Sequence, residues 1–114
     1  MMTFRFPAKV VDVRLANFIV MNLDLGFGIH TDKLVCVFPD IELPAVCSPE
    51  SKELRKKVEE LLRDSIIQPL AVESKMFIGN EIHGDILIGV NYENWIHLDR
   101  LSDWLRFRPN RKKE

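Results

Sequence analysis

The sequence predicts an α+β fold: a small β-barrel with helices, in the order βββ-α-ββ-α. Three observations predict it. Residues 4–45 are rich in β-branched and aromatic residues and run with a period of two. Residues 49–64 switch to a helical period. Residues 67–90 return to period two, and a short amphipathic run follows near 99–105.

Each element has its own signal. Phe4 to Val13 reads as a first strand, with Pro7 placing its start at a sheet edge or bulge. Leu15-Ala16-Asn17-Phe18 falls where a turn is needed. Ile19, Met21, Leu23 and Leu25 then alternate with Val20, Asn22 and Asp24, which buries one face of a second strand. Gly26-Phe27-Gly28 breaks that strand, and Leu34 to Phe38 forms a third. Short links between the three suggest an antiparallel meander. Pro39, Pro44 and Pro49 punctuate the loop that follows.

Ser48-Pro49-Glu50 is a helix start: an N-cap, a proline at the first helical position and an acid in the first turn. Leu54, Val58, Leu61 and Leu62 form one apolar stripe, with charged residues on the opposite face. Ile67 to Ile78 reads as a strand broken near Ser74-Lys75, Gly79 to Gly84 as a hairpin loop, and Asp85 to Val90 as its partner strand. Leu98, Leu101, Trp104 and Leu105 line a last helix starting near Asp99. Five strands with a helix after the third is the layout of an OB barrel.

With 114 residues the chain suits one domain, expected over 1–105, with 106–114 as a basic tail. The formal net charge is −1, so a globally basic nucleic-acid clamp is excluded. Charge is nonetheless unevenly placed. Residues 106–114 hold five basic residues (Arg106, Arg108, Arg111, Lys112 and Lys113) against one acid, so the preceding 105 residues form an acidic body of net −5. The tail reads as a solvated end or as a phosphate-contacting arm able to bind nucleic acid weakly. The absence of a long apolar run and of a signal-peptide pattern predicts a cytoplasmic protein with no membrane segment. Cys36 and Cys47 are expected as thiols, Cys36 buried in a strand.

Several constellations could carry chemistry. His30, Asp32, Glu81 and His83 lie in two loops that a barrel could bring together as a zinc or nickel site, against the plainer reading of exposed polar residues. Cys36 with His97 is a weaker nucleophile pair, because Cys36 sits in an apolar run. Trp95, Phe77 and Tyr92 are candidates for base stacking or for packing, and Trp95 and Trp104 for sealing the last helix on the barrel.

The stretches Ala8-Lys9-Val10-Val11 and Asn22-Leu23-Asp24-Leu25-Gly26-Phe27-Gly28-Ile29 resemble the staphylococcal-nuclease-like (thermonuclease) domain. Its bacterial and phage members often carry D-L-G-F-G-I at the end of the second strand. The resemblance covers most of residues 7–105 and implies a five-stranded OB barrel with packed helices. It also implies a family chemistry of calcium-dependent phosphodiester hydrolysis, using carboxylates for the metal, a glutamate for the water and two arginines for the phosphate.

Carried over residue by residue, that machinery is gone. The metal aspartate of the family's Asp-Gly-Asp-Thr turn falls on Asn17, with Leu15 and Phe18 replacing the other aspartate and the threonine. The phosphate arginine of the second motif falls on Val37, its second metal aspartate on Glu42 and its general-base glutamate on Ala45. The arginine of Tyr-Gly-Arg falls on Asp85, a reversed charge. No catalytic residue, metal or cofactor is therefore expected. The resemblance implies a catalytically inactive nuclease-like binding module, most readily a protein-interaction protein such as a phage accessory or host-interaction factor. The alternative is a divergent calcium-dependent nuclease or nucleic-acid-binding protein.

Overall fold

The computed structural model describes residues 4–39, 41–64 and 68–106. Five long strands close into a barrel: β1 (Phe4–Leu15), β2 (Phe18–Gly26), β3 (Ile29–Val37), β4 (Leu70–Ile78) and β5 (Glu81–Ile88). Their order is β3-β2-β1-β4-β5, and a parallel pairing of β3 with β5 closes the ring. All other pairings are antiparallel. This closed, mixed barrel is compatible with an OB fold. No helix among the described residues is long and apolar enough to cross a membrane.

The alternation in β2 acts as expected as far as Leu23, whereas Leu25, expected on the same buried face, is exposed where the hairpin leaves the barrel. Ile19, Met21 and Leu23 point inward and are buried, while Val20 and Asn22 between them are half-buried. The interior is completed by Val35 and Val37 of β3, Leu70 and Val72 of β4, and Ile82, Ile86 and Ile88 of β5. Helix α1 (Pro49–Leu62) adds Leu54, Val58 and Leu62 to this core, and α2 (Leu101–Arg106) adds Leu101 and Leu105. The Ser48 hydroxyl accepts from the Ser51 N–H at 3.1 Å, which is the expected N-cap, and it donates to the Ala45 carbonyl at 2.6 Å.

Several boundaries differ from the sequence expectation; β1 runs on to Leu15 and β5 ends at Ile88 rather than Val90. β3 begins at Ile29 rather than Leu34, because the β2–β3 hairpin runs beyond the barrel with both faces wet and so lacks an apolar stripe. The expected 79–84 loop shrinks to a Gly79-Asn80 turn, and Glu81-Ile82-His83 already alternates as strand β5. Helix α1 ends at Leu62, two residues early, where the Gln68 side-chain amide donates to the Leu62 carbonyl at 2.6 Å. A two-residue strand, β6 (Asp99–Arg100), precedes α2, which runs one residue past the expected 105. The expected break near Ser74-Lys75 is present as a register shift between Ser74 and Met76. The expected start of that strand at Ile67 lies outside the described residues.

A second, smaller apolar cluster covers the outside of the barrel. Ala71 and Leu87 face outward and pack with Val90, Tyr92 and Trp95 of the 89–98 segment. The Tyr92 hydroxyl donates to the Leu70 carbonyl and ties that segment down. Trp104, by contrast, packs on the main core, so the two tryptophans seal different surfaces.

Candidate functional site

Three places on the barrel gather polar or reactive side chains or the positions that the resemblance singles out. The first is where the nuclease-like resemblance points. The β1–β2 turn, the end of β3 and the start of α1 meet there. The Val37 N–H donates to the Asn17 carbonyl at 2.8 Å, and Val37 pairs with Gly84, next to Asp85. The backbone thus brings Asn17, Val37 and Asp85 into one region, but their side chains do not build a polar site. Val37 is fully buried inside the barrel. Asn17 lines a cavity of about 200 Å3 whose walls are mainly Leu15, Phe18, Leu43, Pro44, Val46 and Leu54. Glu42 and Ala45 are exposed on the 39–48 loop. Asp12, another acid near the turn, is paired with Arg14 at 2.9 Å. No described side chain lining this cavity is ionisable.

The second place is an open cavity of about 760 Å3 on the outer wall, lined by Phe4, Arg5, Glu73, Lys75, Asp85, Trp95, Arg100 and Ser102. Glu73 faces outward from β4 opposite Arg5 of β1 and Asp85 of β5. Its carboxylate, 4% exposed, accepts from Arg5 Nε at 3.1 Å and from Arg100. Burial pushes the Glu73 pKa up, but the hydrogen bonds and charges of Arg100 and Arg5 outweigh it and hold the group below its ordinary value. Asp85 behaves oppositely. Burial raises its pKa, and bonds from Ser102 and from the Ile86 and Ser102 N–H groups offset this only in part. The cluster is internally satisfied, with an ion pair on each oxygen of Glu73.

The third place is the outer face of the β2–β3–β5 seam. Phe18 pairs with Cys36, and Cys36 pairs with His83, in one row across three strands. Glu81 stands two residues before His83 on the same face of β5. Cys36 Sγ lies 3.7 Å from Glu81 Oε1, and His83 Nε2 lies 3.5 Å from the same oxygen. Phe38 packs on the His83 ring at 5.2 Å and edge-on against Phe18 at 6.2 Å. Burial raises the Cys36 pKa, and the neighbouring Glu81 carboxylate raises it further.

This corrects the grouping drawn from the sequence. Glu81 and His83 sit in a strand and join Cys36. His30 and Asp32 instead hydrogen-bond Asn22, at 3.1 and 2.8 Å. The imidazole beside Cys36 is His83, not His97. Tyr92 and Trp95 pack against each other with tilted rings 5.7 Å apart over the outer cluster, which is the packing reading, while Phe77 is half exposed on β4. Arg106 ends α2 and is exposed; Arg108, Arg111, Lys112 and Lys113 lie outside the described residues.

Beyond these, two hairpin tips project from the same end of the barrel, linked where Lys33 Nζ donates to Asn80 Oδ1 at 3.0 Å. One tip shows Leu25, Phe27 and Ile29 to solvent, the other Met76, Phe77 and Ile78. The D-L-G-F-G-I stretch builds the first. Gly26, Phe27 and Gly28 have φ of 88°, 57° and 75°, and Asp24 Oδ1 accepts from the Gly26 N–H at 2.9 Å. Phe27 is fully exposed. No protein-family model and no curated protein matches the chain.

Proposed function

We propose that this chain is a catalytically silent, nuclease-like OB-barrel module that binds a protein partner through its hairpin end. The observation that carries the reading is Phe27. A non-glycine residue in left-handed conformation costs about 1–2 kcal/mol, and here that strain displays an aromatic ring entirely to water. A folded protein gains nothing internally from such a ring, while aromatic residues dominate the centres of protein interfaces. Leu25 and Ile29 add exposed apolar surface beside it, and Phe77 and Ile78 are exposed on the other hairpin. The acidic body of net −5 disfavours phosphate as the ligand.

The silent part of the reading rests on the five family positions. Ala45 can neither take nor give a proton, Val37 is interior, and Asp85 opposes a phosphate. By resemblance to bacterial and phage members, the partner is a host protein. The test pairs affinity capture with a cleavage assay. The natural chain should retain a defined partner that a Phe27→Asn, Phe77→Ser variant loses at least tenfold, with both proteins melting alike. Neither should cut DNA or RNA with calcium. Calcium-dependent cleavage by the natural chain that Glu42→Gln abolishes would establish the nuclease alternative instead.

A further inference from the structure

We propose that Cys36, Glu81 and His83 form a zinc site that clamps the β3–β5 seam of the barrel. A thiolate, an imidazole and a carboxylate are the ligand types of zinc, and calcium, which takes oxygen ligands, is not suited to them. The spacing fits. With zinc–sulfur near 2.3 Å and zinc–nitrogen or zinc–oxygen near 2.0–2.1 Å, tetrahedral angles put sulfur and oxygen about 3.6 Å apart, and nitrogen and oxygen about 3.3 Å. The observed separations are 3.7 Å for Cys36 Sγ to Glu81 Oε1 and 3.5 Å for His83 Nε2 to Glu81 Oε1. All three ligand atoms lie within 4.8 Å of one another. The third edge, sulfur to imidazole nitrogen, lies within 4.8 Å, against about 3.6 Å in a tetrahedral zinc site.

The backbone holds this arrangement. Cys36 and His83 are register partners in the parallel ladder, and Glu81 shares the face of His83. Phe38 and Phe18 shield one side, while Glu81, about half exposed, leaves an entry route on the other. On binding, Cys36 releases its proton to solvent and ligates as thiolate, and a water completes the fourth position. The seam is where a clamp has most to add. It is the barrel's only parallel pairing among the described residues and spans four residue pairs, Leu34–Val37 against Glu81–Gly84. A bound ion would tie β3 to β5 across it.

The experiment uses the full chain, stripped with chelator and titrated with zinc chloride and, separately, cobalt chloride. One equivalent of cobalt should bind and give the near-ultraviolet thiolate-to-cobalt charge-transfer band. Zinc should bleach that band and raise the melting temperature by about 5–10 °C. Cys36→Ser and His83→Gln should each abolish the band and weaken zinc binding at least tenfold, while Cys47→Ser leaves both unchanged. Melting curves in chelator show that each variant is folded, and Glu81→Gln, an exposed change, serves where Cys36→Ser is not. Absence of the charge-transfer band, a band that persists in Cys36→Ser, or equal competition by calcium overturns the proposal.

Discussion

Two clusters on the outer wall of one barrel each centre on a glutamate, and they are built on opposite terms. Glu73 is nearly sealed from water and has both oxygens matched to guanidinium groups of Arg5 and Arg100. Glu81 is half exposed, with no lysine or arginine paired to it among the described residues, and its neighbours are the Cys36 thiol at 3.7 Å and the His83 imidazole at 3.5 Å. The first cluster is complete and holds the 99–102 segment against the barrel. The second gathers a thiol, an imidazole and a carboxylate, three metal-ligand types, on one face of the seam. Saturation marks a structural cluster; an unmatched set of donors marks a site for something that arrives from outside.

The largest effect is expected where the two clusters adjoin. Gly84 lies between His83 and Asp85, and a Cβ there would sit 1.9 Å from the Glu73 carbonyl oxygen. That obstacle is backbone, so β4 and β5 would have to separate. Gly84→Ala should cost more than about 3 kcal/mol and disturb both clusters at once. A denaturant melt that shifts by less than about 1 kcal/mol would show that the ladder yields there.

Next comes Glu73→Gln. Removing one partner of a buried charge network costs roughly 3–5 kcal/mol, less here because both arginines reach water. We expect about 2–3 kcal/mol at pH 7. The folded pKa of Glu73 lies below its unfolded value, so its contribution is present above about pH 4.5 and is lost as pH falls through the folded pKa. The gap between variant and natural chain should therefore narrow in acid. Asp85 carries the opposite sign: its folded pKa is raised, so its ionised form weakens the fold at neutral pH. Asp85→Asn keeps an acceptor for the Ile86 and Ser102 N–H groups and should change stability by less than about 1 kcal/mol. A loss as large as that of Glu73→Gln would mean the two acids act as one network.

The sequence exposed these two clusters unequally, for a physical reason. Barrel strands follow from local alternation, which is why Ile19, Met21 and Leu23 could be placed inside. Helix α1 follows from its cap and stripe, and Cys36 from its apolar run. The Glu73 cluster joins residues 68 and 27 positions apart in the chain, and no local pattern encodes such pairing. Glu81 and His83 carried a visible signal, their spacing of two between Gly79 and Gly84, but glycines at both ends make a strand resemble a loop. The main chains of Asn17 and Val37, 20 positions apart in the sequence, meet through the Val37 N–H and the Asn17 carbonyl. That Val37 points inward follows from its alternation with Cys36, once the strand is known to line a closed barrel.

A smaller effect on stability is expected for Glu81→Gln, and this sharpens the comparison most directly. Glu81 is exposed and glutamine keeps a side-chain oxygen for the buried Cys36 thiol, so in chelator the melt should move by less than about 0.5 kcal/mol. The difference from Glu73→Gln, the same substitution on the neighbouring strand, would then measure saturation and burial rather than residue type.

The smallest effect belongs to Phe27→Asn. The ring touches solvent only, so its loss removes no packing from the core. Asparagine tolerates φ near 57° better than phenylalanine does. Stability should thus be unchanged or rise by a few tenths of a kcal/mol, visible as an equal or slightly higher denaturant midpoint with the same slope. A phenylalanine kept where asparagine folds as well is explained by what it meets outside the chain. If Phe27→Asn instead lowers stability by 1 kcal/mol or more, the ring supports the hairpin internally, and the argument that it is displayed for a partner fails.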